Sequence, residues 1–303
     1  MVETLIVSGS TGFVGKNLKI FFELNSKKTT FISIPKEELN GTFINLDYPK
    51  GGVIHLAGKA HDLKNTSDVQ EYFEVNTILT EKIFNAFLES DAEVFIFLSS
   101  VKAVADKVEG VLTENHLTLP ETAYGKSKLQ AEQFIMNKNI PENKRVYILR
   151  PCMIHGPGNK GNLNLLYKLV TIGFPWPLGA YENKRSYCSI DNLCFVINEL
   201  LNRKDILSGI YQICDNDYIS TNEIINIIAT CQNKKIAIFK LPKTGIKLFA
   251  LLGDLLKLPL NSERLNKLTE NYIVSNLKIV NAIGRPLPMS LKNGLIKTIK
   301  SFN

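Results

Sequence analysis

A short apolar run, Leu5-Ile6-Val7, leads directly into Gly9-Ser10-Thr11-Gly12-Phe13-Val14-Gly15 and then into a helix-patterned stretch from Val14 to Leu24. Three glycines at this spacing divide the work of one turn. One makes the tight bend, one lets backbone approach a pyrophosphate, and one lets the helix sit close on its strand. The free N–H groups and the positive dipole end at the helix start then favour the anion. Gly9, Thr11, Gly12, Phe13, Val14 and Gly15 are therefore the first candidate cofactor-binding residues.

The first half of the chain alternates strand-like runs (Leu5–Ser8, Phe31–Ile34, Val53–Ala57, Val94–Ser99) with helical patterns (Val14–Leu24, Val69–Glu89). Such alternation implies βαβ units and an α/β fold with a doubly wound parallel sheet. The interval from Ile34 to Val53 is short for a full crossover, so one helix there is expected to be trimmed or lost. A helix is expected from about Thr122, carrying Tyr124, and Val146–Leu149 reads as a buried strand ending at Arg150-Pro151. From Gly156 to Gly179 the pattern loosens, and helical stretches resume near Leu193–Leu201, Thr221–Cys231 and Ser290–Ile299. Residues 1–155 are read as a dinucleotide-binding domain to which some later segments return, and 156–303 as mainly a smaller C-terminal substrate-binding lobe.

A net charge of +7 raises the question of nucleic acid, but the lysines and arginines are dispersed, with no basic tract. An anionic small ligand fits that distribution better. Cys152, Cys188, Cys194, Cys214 and Cys231 form no CxxC pair and are odd in number, which points to reduced thiols rather than disulfides or a zinc site. With a strand and its glycine turn inside the first ten residues, no signal peptide is expected, and the protein is read as cytoplasmic. The most apolar later stretch, Gly245 to Leu258, is broken by Lys247, Gly253, Asp254 and Lys257 and is too short to span a bilayer. It reads as an amphipathic helix packed on the substrate lobe, with peripheral membrane contact as the alternative.

Tyr124 and Lys128 are four apart, on one face of their helix. A phenol titrates near pH ~10, so it serves as an acid or base at neutral pH only where cations favour the phenolate. A lysine one turn away and an oxidised nicotinamide would both act in that direction. Upstream, Val94-Phe95-Ile96-Phe97-Leu98 delivers Ser99 and Ser100 at its carboxyl end, where open α/β sheets bind ligands.

Together these residues resemble the extended short-chain dehydrogenase/reductase family, in its NAD(P)-dependent sugar-nucleotide epimerase/dehydratase branch, over nearly the whole chain. Gly9-x-x-Gly12-x-x-Gly15 resembles the cofactor turn, Val53-Ile54-His55-Leu56-Ala57-Gly58 the fourth strand, and Asn76 the structural asparagine. Phe97-Leu98-Ser99-Ser100 with Tyr124-x-x-x-Lys128 matches the catalytic serine, tyrosine and lysine. Arg150-Pro151-x-x-Ile154-His155-Gly156-Pro157-Gly158 resembles the segment lying against the nicotinamide. The resemblance implies a Rossmann fold, catalysis by Ser100, Tyr124 and Lys128, and cofactor contacts from Leu56, Ala57, Gly58, Asn76, Pro151 and Ile154. It also implies a UDP-sugar substrate and a homodimer formed through the Tyr124 helix and the one near Val69–Glu89. Asn162, Leu178 and Arg185 fall in stretches resembling those where relatives hold the nucleotide diphosphate, and Arg264 is a further candidate for a second phosphate or nucleotide contact. Arginine suits that task, because its planar fork grips two phosphate oxygens.

Dehydratases of this branch carry an Asp-Glu pair after the catalytic hydroxyl, whereas this chain has Val101-Lys102, so water elimination is disfavoured. Ser99-Ser100-Val101-Lys102 with Pro157-Gly158-Asn159-Lys160-Gly161-Asn162 resembles a subgroup that reduces UDP-4-keto-6-deoxy-N-acetylhexosamines, giving UDP-N-acetylfucosamine or UDP-N-acetylquinovosamine for surface polysaccharides. Lys102 is a further candidate for sugar contact. A UDP-hexose or UDP-N-acetylhexosamine 4-epimerase and a noncatalytic NAD(P)-binding scaffold stay open as alternatives. The second strand closes on Ser33-Ile34-Pro35-Lys36, without an acidic residue for the ribose of NAD, so the reading leans to NADP(H), with Ser33 and Lys36 near a 2′-phosphate. Asp47 is placed by the adenine.

Overall fold

The computed structural model describes residues 2–25, 29–41, 44, 46, 48, 51–59, 68–256 and 261–302. The chain opens with strand β1 (Thr4–Ser8), helix α1 (Phe13–Asn25), strand β2 (Thr30–Ser33), a single-turn helix α2 (Lys36–Asn40) and strand β3 (Gly51–His55). The expected shortening after β2 is present: α2 has only five residues. Helix α3 (Val69–Phe73) passes through a π-helical turn at Glu74–Ile78 into α4 (Leu79–Glu89), so the pattern read as one helix is continuous but locally widened. Strand β4 (Val94–Leu98), the short β5 (Val111–Leu112), helix α5 (Ala123–Met136) and strand β6 (Arg145–Pro151) follow. Thr122 caps α5, its hydroxyl accepting from the Gly125 amide at 3.2 Å.

Beyond β6 come β7 (Met153–His155), α6 (Asn162–Thr171), β8 (Arg185–Ser189), α7 (Ile190–Asn202), β9 (Gly209–Ile213) and β10 (Tyr218–Ile219). The chain closes with α8 (Thr221–Cys231), α9 (Lys243–Leu256), α10 (Ser262–Thr269), β11 (Ile273–Val274), α11 (Leu277–Ile283) and α12 (Leu291–Lys300). The main sheet is parallel throughout, in the order β2-β1-β3-β4-β6-β9. Its strands are apolar on both sides because both sides are covered. Leu5, Val7, Ile54, Ile96 and Leu149 meet α1, α7 and α11 on one face, while Ile6, Val53, Phe95, Phe97 and Ile148 meet α4 and α5 on the other. This is the doubly wound Rossmann arrangement expected from the alternation.

Strand β9 returns to this sheet late in the chain and pairs with β6, register Arg150↔Gln212. A second apolar core gathers α6, α8, α9, α10 and α12 around Leu166, Trp176, Ile225, Ile228 and Leu295. Among the described residues no helix is long and apolar enough to cross a membrane.

Candidate active site

The glycines of the first turn have distinct reasons to lack a side chain. Gly9 takes φ +72°, and a Cβ there would stand 2.6 Å from the Ala57 amide, so the turn lies directly against the end of β3. At Gly15 a Cβ would fall 2.5 Å from the Gly9 carbonyl, which is how α1 sits down on its own turn. Gly12 is exposed, its amide donating to Gly9 O at 3.0 Å, and the first-turn amides of α1 have no intrahelical partners. An anion-sized cradle therefore opens at Thr11 and Gly12, both exposed, with Phe13 and Val14 half-buried behind it. From the far side Gly156 comes in close: a Cβ on it would lie 3.5 Å from the Phe13 ring, and Asn17 Nδ2 donates to Pro157 O at 3.1 Å. Pro151 ends β6, and Ile154 is the middle residue of β7, two residues before Gly156.

The loop after β3, carrying Leu56, Ala57 and Gly58, lies between the glycine turn and α5, Ala57 against Gly9 and Gly58 against Lys128. Leu56 N donates to Ser8 O at 3.1 Å. A Cβ on Gly58 would approach both Asn76 Oδ1 and Lys128 Nζ to 3.0 Å, so these three groups converge on one spot. Asn76 lies in the π-helical turn, a device found often at functional sites. Its amide donates to Lys59 O and Ser127 Oγ, both at 3.0 Å, and its carbonyl accepts from Lys59 N at 2.8 Å, fastening the loop to α5.

Ser100 caps a short 3-10 turn (Val101–Ala103), its hydroxyl accepting from Lys102 N at 3.2 Å, and is also hydrogen-bonded to Tyr124. Burial pushes the Tyr124 phenol above its ordinary value while the Ser100 hydrogen bond pulls it the other way, so in the free protein the phenol holds its proton at neutral pH. Lys128 is buried, donates from Nζ to Leu98 O at 2.9 Å and lies 4.7 Å over the Phe97 ring. Burial draws its ammonium down to about 8, opposed by the Glu132 carboxylate. The geometry thus joins the ends of β3 and β4 to one face of α5.

Three groups near these residues are given no role by the sequence reading. Glu132 follows Lys128 by one more turn and is fully buried, receiving Arg150 Nε at 3.0 and 3.1 Å, Arg150 Nη2 and the Ser99 hydroxyl. The spacing 124, 128, 132 was the available sign, since all three share one helix face. Second, His55 joins β3 to its neighbours, Nδ1 to Ser8 Oγ at 2.6 Å and Nε2 to Thr80 Oγ1 at 2.8 Å. Burial, with Lys128 nearby, drives its imidazole down to about 3, so it is a neutral strut. Third, Tyr272 fastens β11 to the segment after β4, its hydroxyl donating to Ala105 O at 2.7 Å.

Lys102 Nζ stacks 4.3 Å over the Tyr272 ring and donates to Asp106 O at 2.8 Å. Its ammonium is lowered chiefly by burial, with Asp106 and Glu270 opposing and Arg185 adding to the lowering. Arg185 pairs with Glu270 at 3.5 Å and donates to Lys267 O, and its charge reaches Lys102. Asn162 opens α6 and Arg264 is an exposed residue of α10. Leu178 is buried in the second core, so its side chain serves packing, and its carbonyl accepts from Tyr181 N at 3.0 Å. Ser33 and Lys36 are exposed at the end of β2 and the start of α2. Asp47 lies outside the described residues.

A glycine cradle at a helix start, beside a buried lysine and a serine-bound tyrosine at strand ends, defines a dinucleotide-binding α/β protein of the short-chain dehydrogenase/reductase kind. The chain belongs to the NAD dependent epimerase/dehydratase family, whose model matches residues 5–214. It is 29% identical to a UDP-glucose 4-epimerase of Vibrio cholerae, over 100% of this chain and 96% of that one. It is also 29% identical, over 99% and 95%, to the N-acetyl-alpha-D-glucosaminyl-diphospho-ditrans,octacis-undecaprenol 4-epimerase of Escherichia coli O157:H7. Among solved structures it superposes on RMD from Pseudomonas aeruginosa, complexed with NADPH, with TM-score 0.72 at 20% identity over 99% of both chains.

Proposed function

We propose that the protein is an NAD(P)H-dependent oxidoreductase acting at C4 of a UDP-sugar, reducing a UDP-4-keto-6-deoxy-N-acetylhexosamine to UDP-N-acetylfucosamine or UDP-N-acetylquinovosamine. The observation carrying the reading is the convergence of Ser100, Tyr124 and Lys128 beside a glycine cradle that would admit a dinucleotide. A bound dihydronicotinamide supplies the hydride. Tyr124, protonated at neutral pH in the free protein, gives its proton to O4 as charge develops there, and Ser100 donates a hydrogen bond to the same oxygen. Lys128 would hold the nicotinamide ribose and, as a cation, would favour the phenolate left after proton transfer. Lys102 and Arg185 supply positive charge for the diphosphate, with Asn162 and Arg264 as further contacts. No carboxyl group follows Ser100, so the residues fit carbonyl reduction better than water elimination.

The reductive direction draws support from the end of β2, where Ser33 and Lys36 offer a hydroxyl and an ammonium suited to a 2′-phosphate. A second reading, 4-epimerisation of a UDP-hexose or UDP-N-acetylhexosamine on one retained NAD, is favoured by the two full-length relatives that carry that activity in their names. Hydride balance separates the two. Purified protein given UDP-4-keto-6-deoxy-GlcNAc and NADPH or NADH should bleach the nicotinamide absorbance stoichiometrically with product. Interconversion of UDP-GlcNAc and UDP-GalNAc, or of the UDP-hexoses, with no net nicotinamide change and no keto-sugar reduction would replace the first reading by the second. A protein whose function is untouched by Tyr124→Phe would be a binding scaffold instead.

A further inference from the structure

Helix α9 is packed into the second core by one stripe only, Ile246, Ala250 and Gly253. At 3.6 residues per turn the opposite arc holds Leu248, Leu251, Leu252 and Leu255, with Phe249 and Leu256 at one border. These six side chains are between 47% and 79% exposed. The segment feeding the helix adds Phe239 and Leu241, likewise exposed. A globular helix normally turns its polar side outward; here packing has used the small stripe and left the large apolar one in water.

We propose that this face of α9 docks on an anionic lipid bilayer, with the helix lying in the interface plane. The charges around the face match that occupant. Lys240, Lys243 and Lys247 are exposed at the start of the helix and along its flank, and Lys243 also leans over the Tyr181 ring at 5.4 Å. The one acid in α9, Asp254, is turned toward α10, accepting from Ser262 N at 3.0 Å and Ser262 Oγ at 2.5 Å. Leucines flanked by lysines suit acyl chains beneath anionic headgroups, where lysine stems lie along the apolar layer and their ammoniums reach the phosphates. A protein partner would select a different set, since binding hot spots favour Trp, Tyr and Arg and under-represent Leu. Docking would also orient the cleft, because α9 packs on α10 and the Lys267 carbonyl of α10 accepts from Arg185. The inference concerns a surface and holds for either C4 reaction.

Sedimentation of the full chain with extruded vesicles tests it, using phosphatidylcholine alone against phosphatidylcholine mixed with phosphatidylglycerol. The protein should pellet with the mixed vesicles, less as salt rises. Leu248→Glu with Leu255→Glu should weaken binding by about tenfold or more, and Lys243→Gln or Lys247→Gln by about fivefold each. All four side chains are exposed, so circular dichroism and NAD(P)H binding should be unchanged in each variant. Failure to pellet with anionic vesicles, or equal pelleting of the double-glutamate variant, would overturn the proposal. So would light scattering showing that the wild type self-associates and that the same variant abolishes it, because the face would then belong to a second copy of the chain.

Discussion

Lys128 should make the free protein less stable at neutral pH than it is at pH 10. The ammonium is 4% exposed, and burial brings it from its ordinary 10.5 down to about 8. Below pH 8 both folded and unfolded chains carry the proton, and the folded state bears the full cost of a poorly solvated charge. Between 8 and 10.5 the unfolded chain still holds the proton while the folded chain has lost it, so stability rises with pH across that window. At about 1.4 kcal/mol per factor of ten in proton affinity, the whole gap amounts to ~3 kcal/mol. Lys128→Met removes the titration and keeps most of the volume. The stability difference between variant and wild type, from urea unfolding without cofactor, should therefore shift in the wild type's favour by ~2.5 kcal/mol from pH 7 to pH 10, most of the whole gap. Other titrating groups are common to both proteins and cancel in the difference. A difference that is flat across this range would show that Lys128 is solvated or compensated in the free protein, and the account of the site as a costly cation cage would fail.

Tyr124→Phe should lower turnover by about 10²–10⁴ with little change in KM, because the phenol acts on the developing charge and not on ground-state binding; steady-state kinetics at the nicotinamide band decide it. Glu132→Gln leaves Arg150 buried without its counter-charge and should cost about 3–5 kcal/mol in urea unfolding, while Glu132→Met with Arg150→Met should recover most of that loss. Gly15→Ala puts a methyl 2.5 Å from the Gly9 carbonyl and should lose about 1–3 kcal/mol, with weaker NAD(P)H binding by fluorescence titration.

The parallel sheet and the helix carrying Tyr124 and Lys128 were legible in the sequence because each element there follows its own rule. Strands buried on both faces read as unbroken apolar runs, and Thr122 marks the start of α5 by capping it. The second core was harder. Helix α6 follows a run rich in Gly, Pro and Asn, and Gly161, which has no side chain to cap with, precedes its first residue. The sheet β10-β8-β7 is built from strands of two to five residues whose pairing is long-range, so no local period announces it. Strand β9 joins the main sheet only because Arg150↔Gln212 and their neighbours pair across sixty residues of intervening chain. In the site, the glycine, tyrosine and lysine positions were visible because their spacing is fixed by backbone geometry. The Glu132–Arg150–Ser99 cluster was not, because its members come from α5, β6 and the end of β4 and meet only after folding.

Lys128 and Lys102 are desolvated cations whose burial lowers their proton affinity, and Arg185 adds to the lowering at Lys102. Glu132, Asp106 and Glu270 offset part of that positive field, yet Glu132 is already committed to Arg150 and Glu270 to Arg185. An anionic ligand bound there would correct the remaining imbalance. A dinucleotide pyrophosphate at the α1 start and a nucleotide diphosphate near Arg185 would each bring negative charge to a place where the free protein lacks it, so binding energy is available from relief of repulsion as well as from new hydrogen bonds. Melting temperature should then rise with NADPH and rise again with UDP, each by mass action on the folded state, and the UDP increment should shrink in Arg185→Gln while the NADPH increment stays. An equal loss of both increments in that variant would mean that Arg185 supports the fold of the cleft and not the second diphosphate.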